Sequence, residues 1–393
     1  MPIATRLLIL LIFCLASVGS LPTTVRTGPT TLGGLLTVAV LMIAVLATLL
    51  DKYITARSTK HIFILLPILA MSAAGTTGLY YPATKDSALL SLIFFSSILI
   101  IARMAHAARN PCFYRELEKI ILIFSIIYII IAIPFSFIYK HGPAFALSGM
   151  IFFAFHYVRY RKGSTLSLIY LAICLLAHLT LSARIAVLSE IIILIFGRYL
   201  IPLQTNSHKS ITTNILKNST FLISGSSLFL FAIFILSEKF IGGDAGLNIA
   251  GHEINTNGRI EMWQLLIRSS ADSLWLGHGM AGPQEMLLTP GWAHPHNDYL
   301  RLLHQFGAFG LFLWITFLLV CLRDSRKKIV EDIQRNNKGI ISRTAFLSLL
   351  MFIISMLTDN SIIYSYVIFP VIALSGASIP EHFKNTKPKK VIL

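Results

Sequence analysis

Apolar and polar positions fall into long blocks along this chain. Runs of about 20 apolar residues, the helical length that crosses a bilayer's hydrocarbon core, recur from end to end. They predict twelve spans, near 6–22, 32–50, 61–81, 87–105, 119–139, 143–158, 165–183, 185–202, 219–237, 302–322, 344–358 and 361–379. The sixth, eighth and eleventh are short, and almost nothing separates the seventh from the eighth. Arg6 ahead of an apolar core has the outline of a signal peptide. With no small-residue cleavage site before Pro22, an uncleaved first span is expected.

One connection breaks the rule of short links. Residues 238–301 hold seven of the seventeen acids and three of the four tryptophans. Loops of this length are usually functional or disordered, and this composition is not that of a disordered segment. "GRIEMWQLLIRSS" (Gly258 to Ser270) predicts a helix with Ile260, Trp263 and Ile267 on one face and Asn257 or Thr256 as N-cap. "WLGHGMAGP" (Trp275 to Pro283) reads as a glycine-rich turn. The organisation expected is a first bundle over 1–237, an external loop over 238–301, three further spans over 302–379, and a basic tail over 380–393.

Composition strengthens the membrane assignment. The 393 residues are 55% hydrophobic and 13% charged, about half the charged share of a soluble domain. The fold class is therefore an all-α polytopic membrane protein. With both termini in the cytoplasm, 25 of the 33 Lys and Arg fall on the inner side, as the positive-inside rule requires. This topology and the apposition to anionic membrane lipids account for the net charge of +16, with no nucleic acid as partner. The long loop then faces outward, which removes ATP and nucleotide sugars from the expected substrates. No P-loop is present, no two aspartates stand two apart, and four scattered cysteines provide neither a disulfide framework nor a metal site. No cofactor is expected.

Polar chemistry concentrates in "GWAHPHNDYLRLLHQFGAFG" (Gly291 to Gly310), at the mouth of the tenth span. His296 and Asn297 stand where a helix should begin, near Asp298 or Tyr299. Free N–H groups and the positive dipole end there suit an anion such as phosphate and keep a nearby histidine neutral. A plainer alternative makes Asn297 or Asp298 a cap and leaves His296 at the interface. Arg301, one turn further, either snorkels to lipid phosphates or points into a wet cavity. His294 assists His296 or lines the loop. Gly307 and Gly310 permit close helix packing. Two more outward-side arginines, Arg184 in "LTLSARIAVLSE" and Arg259 at the loop helix, offer the planar fork that matches phosphate oxygens. Together these residues suggest a lipid-diphosphate site. Glu190 is either functional or paired with Arg184 or Arg198.

His296-Asn297, nine residues, then Gly307-x-x-Gly310 resembles the H-[NSQ]-x9-G-x-x-[GTY] pattern of the O-antigen ligase and polymerase superfamily. "NGRIEMWQ", "LGHG", "HPHNDYL" and the mid-chain Arg184 are similar too. The resemblance implies a metal-independent glycosyltransferase of the membrane-embedded C class in a bacterial inner membrane, with its active site facing the periplasm. Such enzymes move a glycan from undecaprenyl diphosphate to an acceptor hydroxyl, for a ligase that of the lipid A–core oligosaccharide. His296 would be the catalytic base and Arg184 and Arg259 the diphosphate-binding groups, with Asn297, Arg301 and His294 as further substrate contacts. The polymerase's R-x10-G spacing does not start at either of these two arginines, since Ser270 follows Arg259 and Ile195 follows Arg184 at that distance. Ligase is thus the first expectation and polymerase the alternative. A protein O-oligosaccharyltransferase fits less well, for want of a large C-terminal extension. A lipid-linked-oligosaccharide transporter also fits less well, because the polar residues gather at one face and no inverted repeat is visible.

Overall fold

The computed structural model describes residues 1–18, 26–27, 30–50, 59–76, 85–110, 112–138, 143–181, 183–200, 246–249, 252–255, 259–279, 295–335 and 337–380. Among these, eleven apolar helices and one loop helix make up almost all of the architecture. They are α1 (Ile3–Val18), α2 (Leu32–Leu50), α3 (Thr59–Thr76), α4 (Lys85–Ala107), α5 (Phe113–Ile138), α6 (Pro143–Arg161), α7 (Thr165–Thr180) and α8 (Arg184–Leu200). After them come α9 (Arg259–Ser270), α10 (Asp298–Gln334), α11 (Ile340–Ser355) and α12 (Ser365–Ala377). Two short antiparallel hairpins, Arg26–Thr27 with Thr30–Thr31 and Gly246–Ile249 with His252–Asn255, and two single 3-10 turns, Ala271–Ser273 and Ser361–Ile363, complete the regular structure of the described residues. Eleven of the twelve spans read from sequence coincide with a helix, whereas 219–237 lies outside the described residues.

By length and composition, Leu90–Ala107, Phe113–Phe137 and Asp298–Gln334 cross a membrane, with shorter apolar helices around them. The surface confirms the medium. Phe137 and Leu166 are each 77% exposed and Leu49 is 74% exposed, on a chain whose interior is also hydrocarbon. Water would penalise such a surface, and lipid solvates it. Inside, Phe94 meets Trp314 edge-on at 5.7 Å and Trp314 stacks on Phe317 at 5.3 Å. Proline is tolerated within α3, α5 and α12 at Pro67, Pro134 and Pro370, where neighbouring helices stabilise the interrupted ladder.

Helix α10 organises the site end. It packs on α3 and α11, α11 packs on α6, α8 and α12, and α9 lies across α10. At 37 residues it would measure about 55 Å if straight, well beyond the bilayer core. Its second half carries the charged run from Arg323. There Asp324 binds Lys60 at 2.5 Å, and Asp332 binds Lys328 at 3.3 Å and the Ser342 hydroxyl at 2.6 Å.

The tenth span, predicted near 302–322, coincides with a helix that is not continuous. At Gly307 the backbone turns to φ 65°, ψ −172°, dividing α10 into a two-turn opening and a long span. The helical bonds that Ala308 and Phe309 would donate to His304 and Gln305 are lost there. All four freed groups find partners in the glycine-rich turn. His278 N–H donates to His304 C=O at 2.8 Å and Gly279 N–H to Gln305 C=O at 2.9 Å. In return Ala308 N–H reaches Leu274 C=O at 2.7 Å and Phe309 N–H reaches Trp275 C=O at 3.3 Å. Close helix packing, the role the sequence suggests for Gly307 and Gly310, is not what fixes Gly307 as glycine. A Cβ on Gly307 would lie 2.3 Å from the Trp275 carbonyl carbon, while one on Gly310 would strike Phe306 of its own helix.

The loop helix forms as expected but is rotated. Met262, Trp263 and Leu266 are its buried face, packed by Leu265 and Leu300, and Ile267 is turned outward. The predicted caps Asn257 and Thr256 lie outside the described residues.

Candidate functional site

The opening turn of α10, the start of α9 and the connection between α11 and α12 meet at one end of the bundle. Asn297 is the N-cap of α10, its side-chain oxygen accepting from Leu300 N–H at 3.0 Å. Asp298 staples this turn to the α11–α12 connection. Its own N–H donates to Met356 C=O at 2.9 Å, and its carboxylate accepts from Ile362 N–H at 2.8 Å. Tyr299 adds a hydroxyl bond to Ile353 C=O at 3.0 Å. The helix start is therefore held by three consecutive residues.

His296, just ahead of the cap, has φ 48°, the left-handed region that a side chain disfavours by about 1–2 kcal/mol. It is the one non-glycine among the described residues with positive φ. Strain of this kind persists where the surroundings fix the conformation. Asn360 is one such constraint, its Oδ1 accepting from His296 N–H at 3.1 Å. Pro295 is another, since its carbonyl receives the Trp263 indole N–H at 2.7 Å and so binds α9 to the same segment.

Arg301 does not snorkel. It is buried, its Nη2 donates to Asn360 Oδ1 at 3.0 Å, and its Nε stands 3.8 Å from Asp298. Arg259, the first residue of α9, donates from Nη1 to Thr358 C=O at 3.3 Å. Beside it lies Asp359. Burial raises its carboxyl above the ordinary carboxylate range, against the opposing effects of the Asn360 N–H and the Arg259 guanidinium.

The structure thus brings together His296, Asn297, Arg301 and Arg259. It leaves Arg184 exposed at the first position of α8, where it makes no hydrogen bond or ion pair among the described residues. His294 lies outside the described residues. Glu190 corrects an expectation. Its partner is neither Arg184 nor Arg198 but His178, with Nδ1 to Oε1 at 2.6 Å, while the other ring nitrogen meets the Tyr128 hydroxyl at 2.7 Å. Arg198 instead lies over the Tyr199 ring at 4.3 Å.

Sequence reasoning missed Asn360, which anchors Arg301 and His296, and its neighbour Asp359, which faces the Arg259 guanidinium. The available signal was "TDNS" (Thr358 to Ser361), a polar quartet between two apolar spans. It also missed the stacked rings of His278 and His304, 4.6 Å between centroids, with Ser269 hydrogen-bonded to both.

A lipid-facing bundle that buries arginine, histidine and carboxylates at one end is a multi-pass membrane protein with a polar interfacial site. The profile of the O-antigen ligase family matches residues 117–315, about half of the chain, and the chain belongs to that family. It is also similar to an O-antigen ligase from Pseudomonas aeruginosa, with 39% identity over 59 residues. That match covers 14% of this chain and only 15% of the length of the curated relative.

Proposed function

We propose that this protein is an O-antigen ligase of a bacterial inner membrane, transferring a glycan from undecaprenyl diphosphate to a hydroxyl of the lipid A–core oligosaccharide on the periplasmic side. The observation that carries this is the convergence of Arg259, Arg301 and the strained His296 on one three-residue connection, Thr358–Asn360. An anomeric carbon bonded to diphosphate already has a good leaving group. His296 takes the acceptor hydroxyl's proton as the oxygen attacks that carbon. The carbon–oxygen bond to diphosphate breaks with its electron pair on the phosphate, stabilised by Arg184 and Arg259. The apolar bundle accommodates the prenyl tail, and the positive-inside topology sets the site outward.

A metal is not part of this scheme. The Cys174, His178 and Glu190 group has suitable donor types. Yet its histidine and carboxylate are 2.6 Å apart, whereas two ligands of one tetrahedral zinc stand about 3.3 Å apart. Transfer should survive EDTA, and loss on chelation with recovery on adding magnesium would refute the scheme.

The decisive experiment is expression in a strain that lacks its ligase but makes polymerised O-antigen. A restored ladder of lipid A–core-linked bands supports the proposal. No ladder, with rescue of a polymerase mutant instead, assigns the chain to the polymerase branch.

A further inference from the structure

The side chain of Asn360 lies at the centre of the site, and its orientation is fixed by its neighbours. Its Oδ1 faces two groups that can only donate, the His296 main-chain N–H at 3.1 Å and Arg301 Nη2 at 3.0 Å. The amide cannot be reversed without setting its NH2 against both. Nδ2 is therefore the atom 3.3 Å from His296 Nδ1. An amide NH2 can only donate, so the imidazole nitrogen facing it must accept.

We propose that Asn360 is a positioning residue that selects the protonation geometry of His296: it holds the ring neutral with its proton on Nε2, making Nδ1 the nitrogen that takes the acceptor's proton. The inference rests on the proposed role of His296 and deepens it. In the Nε2–H form the ring has one lone pair, at Nδ1, and Asn360 occupies it through a long, uncharged hydrogen bond. An arriving hydroxyl displaces that bond. Its proton passes to Nδ1, its oxygen forms the bond to the anomeric carbon, and the diphosphate leaves with the electron pair. An imidazolium in the resting site would set N–H against N–H. The charged and titratable groups of the surrounding elements are Asp298 and Arg301 of α10, Arg259 of α9, and Asp359 and Tyr364 of the connection that carries Asn360.

The strained backbone supports the same assignment. With φ 48°, His296 is held where its N–H and its Nδ1 both face one amide. A simple helix cap requires neither contact, and the cap here is already supplied by Asn297.

The test is Asn360→Asp, which preserves size and the acceptor for both His296 N–H and Arg301. A merely structural role predicts wild-type transfer, since a carboxylate holds Arg301 at least as well. The proposal predicts otherwise, because the second carboxylate oxygen demands a proton on Nδ1. With purified full-length protein and a prenyl-diphosphate-linked glycan, kcat should fall at least about tenfold with KM little changed. The acid limb of the kcat profile should move up by about one pH unit. Unchanged kcat and an unchanged profile overturn the proposal. Should N360D not accumulate, 15N-histidine labelling of the wild-type chain provides the second measurement. The His296 signals, identified by their loss in His296→Gln, should show a bare Nδ1 and a protonated Nε2, and the reverse overturns the proposal. His296→Ala separates the two failures. If it keeps full activity, the role of His296 falls. If it is inactive while N360D matches wild type, only the role of Asn360 falls.

Discussion

Gly307 lies so close to Trp275 that a single added methyl would stand 2.3 Å from the Trp275 carbonyl carbon. This contact is the seam on which the glycine-rich turn lies against the break in α10, and it places His304 and Arg301 on the turn just before that break. The seam is made of backbone on both sides, so neither side can yield by rotating a side chain.

Gly307→Ala should therefore be far more damaging than the replacement of a positive-φ glycine that stands in open space. Gly163 provides the control, with φ +96° and nothing within 4 Å of an added Cβ. Gly163→Ala has only the left-handed strain to bear, about 1–2 kcal/mol. Gly307→Ala adds a backbone collision and should lose both transfer and most of its thermal stability in detergent. Matching melting curves for the two variants would show that the turn does not depend on this approach.

Helix positions were legible in the chain because a bilayer enforces length and apolarity on every span, so eleven predicted segments coincide with helices. The break at Gly307 was not legible. A glycine in an apolar run is equally compatible with close packing, and only the partner backbone at Trp275, 32 residues earlier, distinguishes the two. The site divides in the same way. His296, Arg259 and Arg301 stood out as polar residues at a membrane edge. Asn360 did not, because its importance comes from Arg301 and His296 meeting it across 59 and 64 residues of chain. The partner of Glu190 was missed because arginines were weighed as its counter-charges and a histidine on the preceding helix was not.

That buried pair makes its own prediction. His178 and Glu190 are both fully buried and hydrogen-bonded at 2.6 Å. Removing one partner leaves a buried polar group unsatisfied, an effect of about 3–5 kcal/mol when the pair is ionic. His178→Ala and Glu190→Ala should each lower the melting temperature sharply, and the double variant should lose much less than the sum. Glu190→Gln, which keeps an acceptor for the ring, should retain transfer. An E190Q protein that folds normally yet is inactive would make Glu190 part of the chemistry.

Arg184 and Arg259 separate a diphosphate clamp from generic positive charge. A guanidinium holds two oxygens at once, and an ammonium acts as a single point charge. Arg184→Lys and Arg259→Lys should each reduce transfer at least about tenfold, the equivalent of one charge-assisted hydrogen bond lost. The melting temperature of R184K should not move, because Arg184 is exposed and makes no hydrogen bond or ion pair among the described residues. Wild-type turnover in both variants would leave these arginines with no role beyond topology.

Asp359 links the site to pH. Burial raises its carboxyl above the ordinary value, with the Asn360 N–H and the Arg259 guanidinium acting in the opposite direction. A carboxyl raised on folding contributes stability that is whole below the unfolded value of about 3.9 and is lost as pH rises through its folded value. Asp359→Asn removes the titration but keeps the side-chain oxygen that accepts from Asn360 N–H at 2.7 Å. Near pH 4 the two proteins should melt at similar temperatures. As pH rises the variant should gain on wild type, and the gap should level off once the wild-type carboxyl is ionised. A gap that stays constant with pH, or one that grows toward acid, would mean that Arg259 outweighs burial and holds Asp359 charged throughout. In that event the Arg259 guanidinium would already be engaged by a carboxylate in the resting site, and the diphosphate would have to displace it.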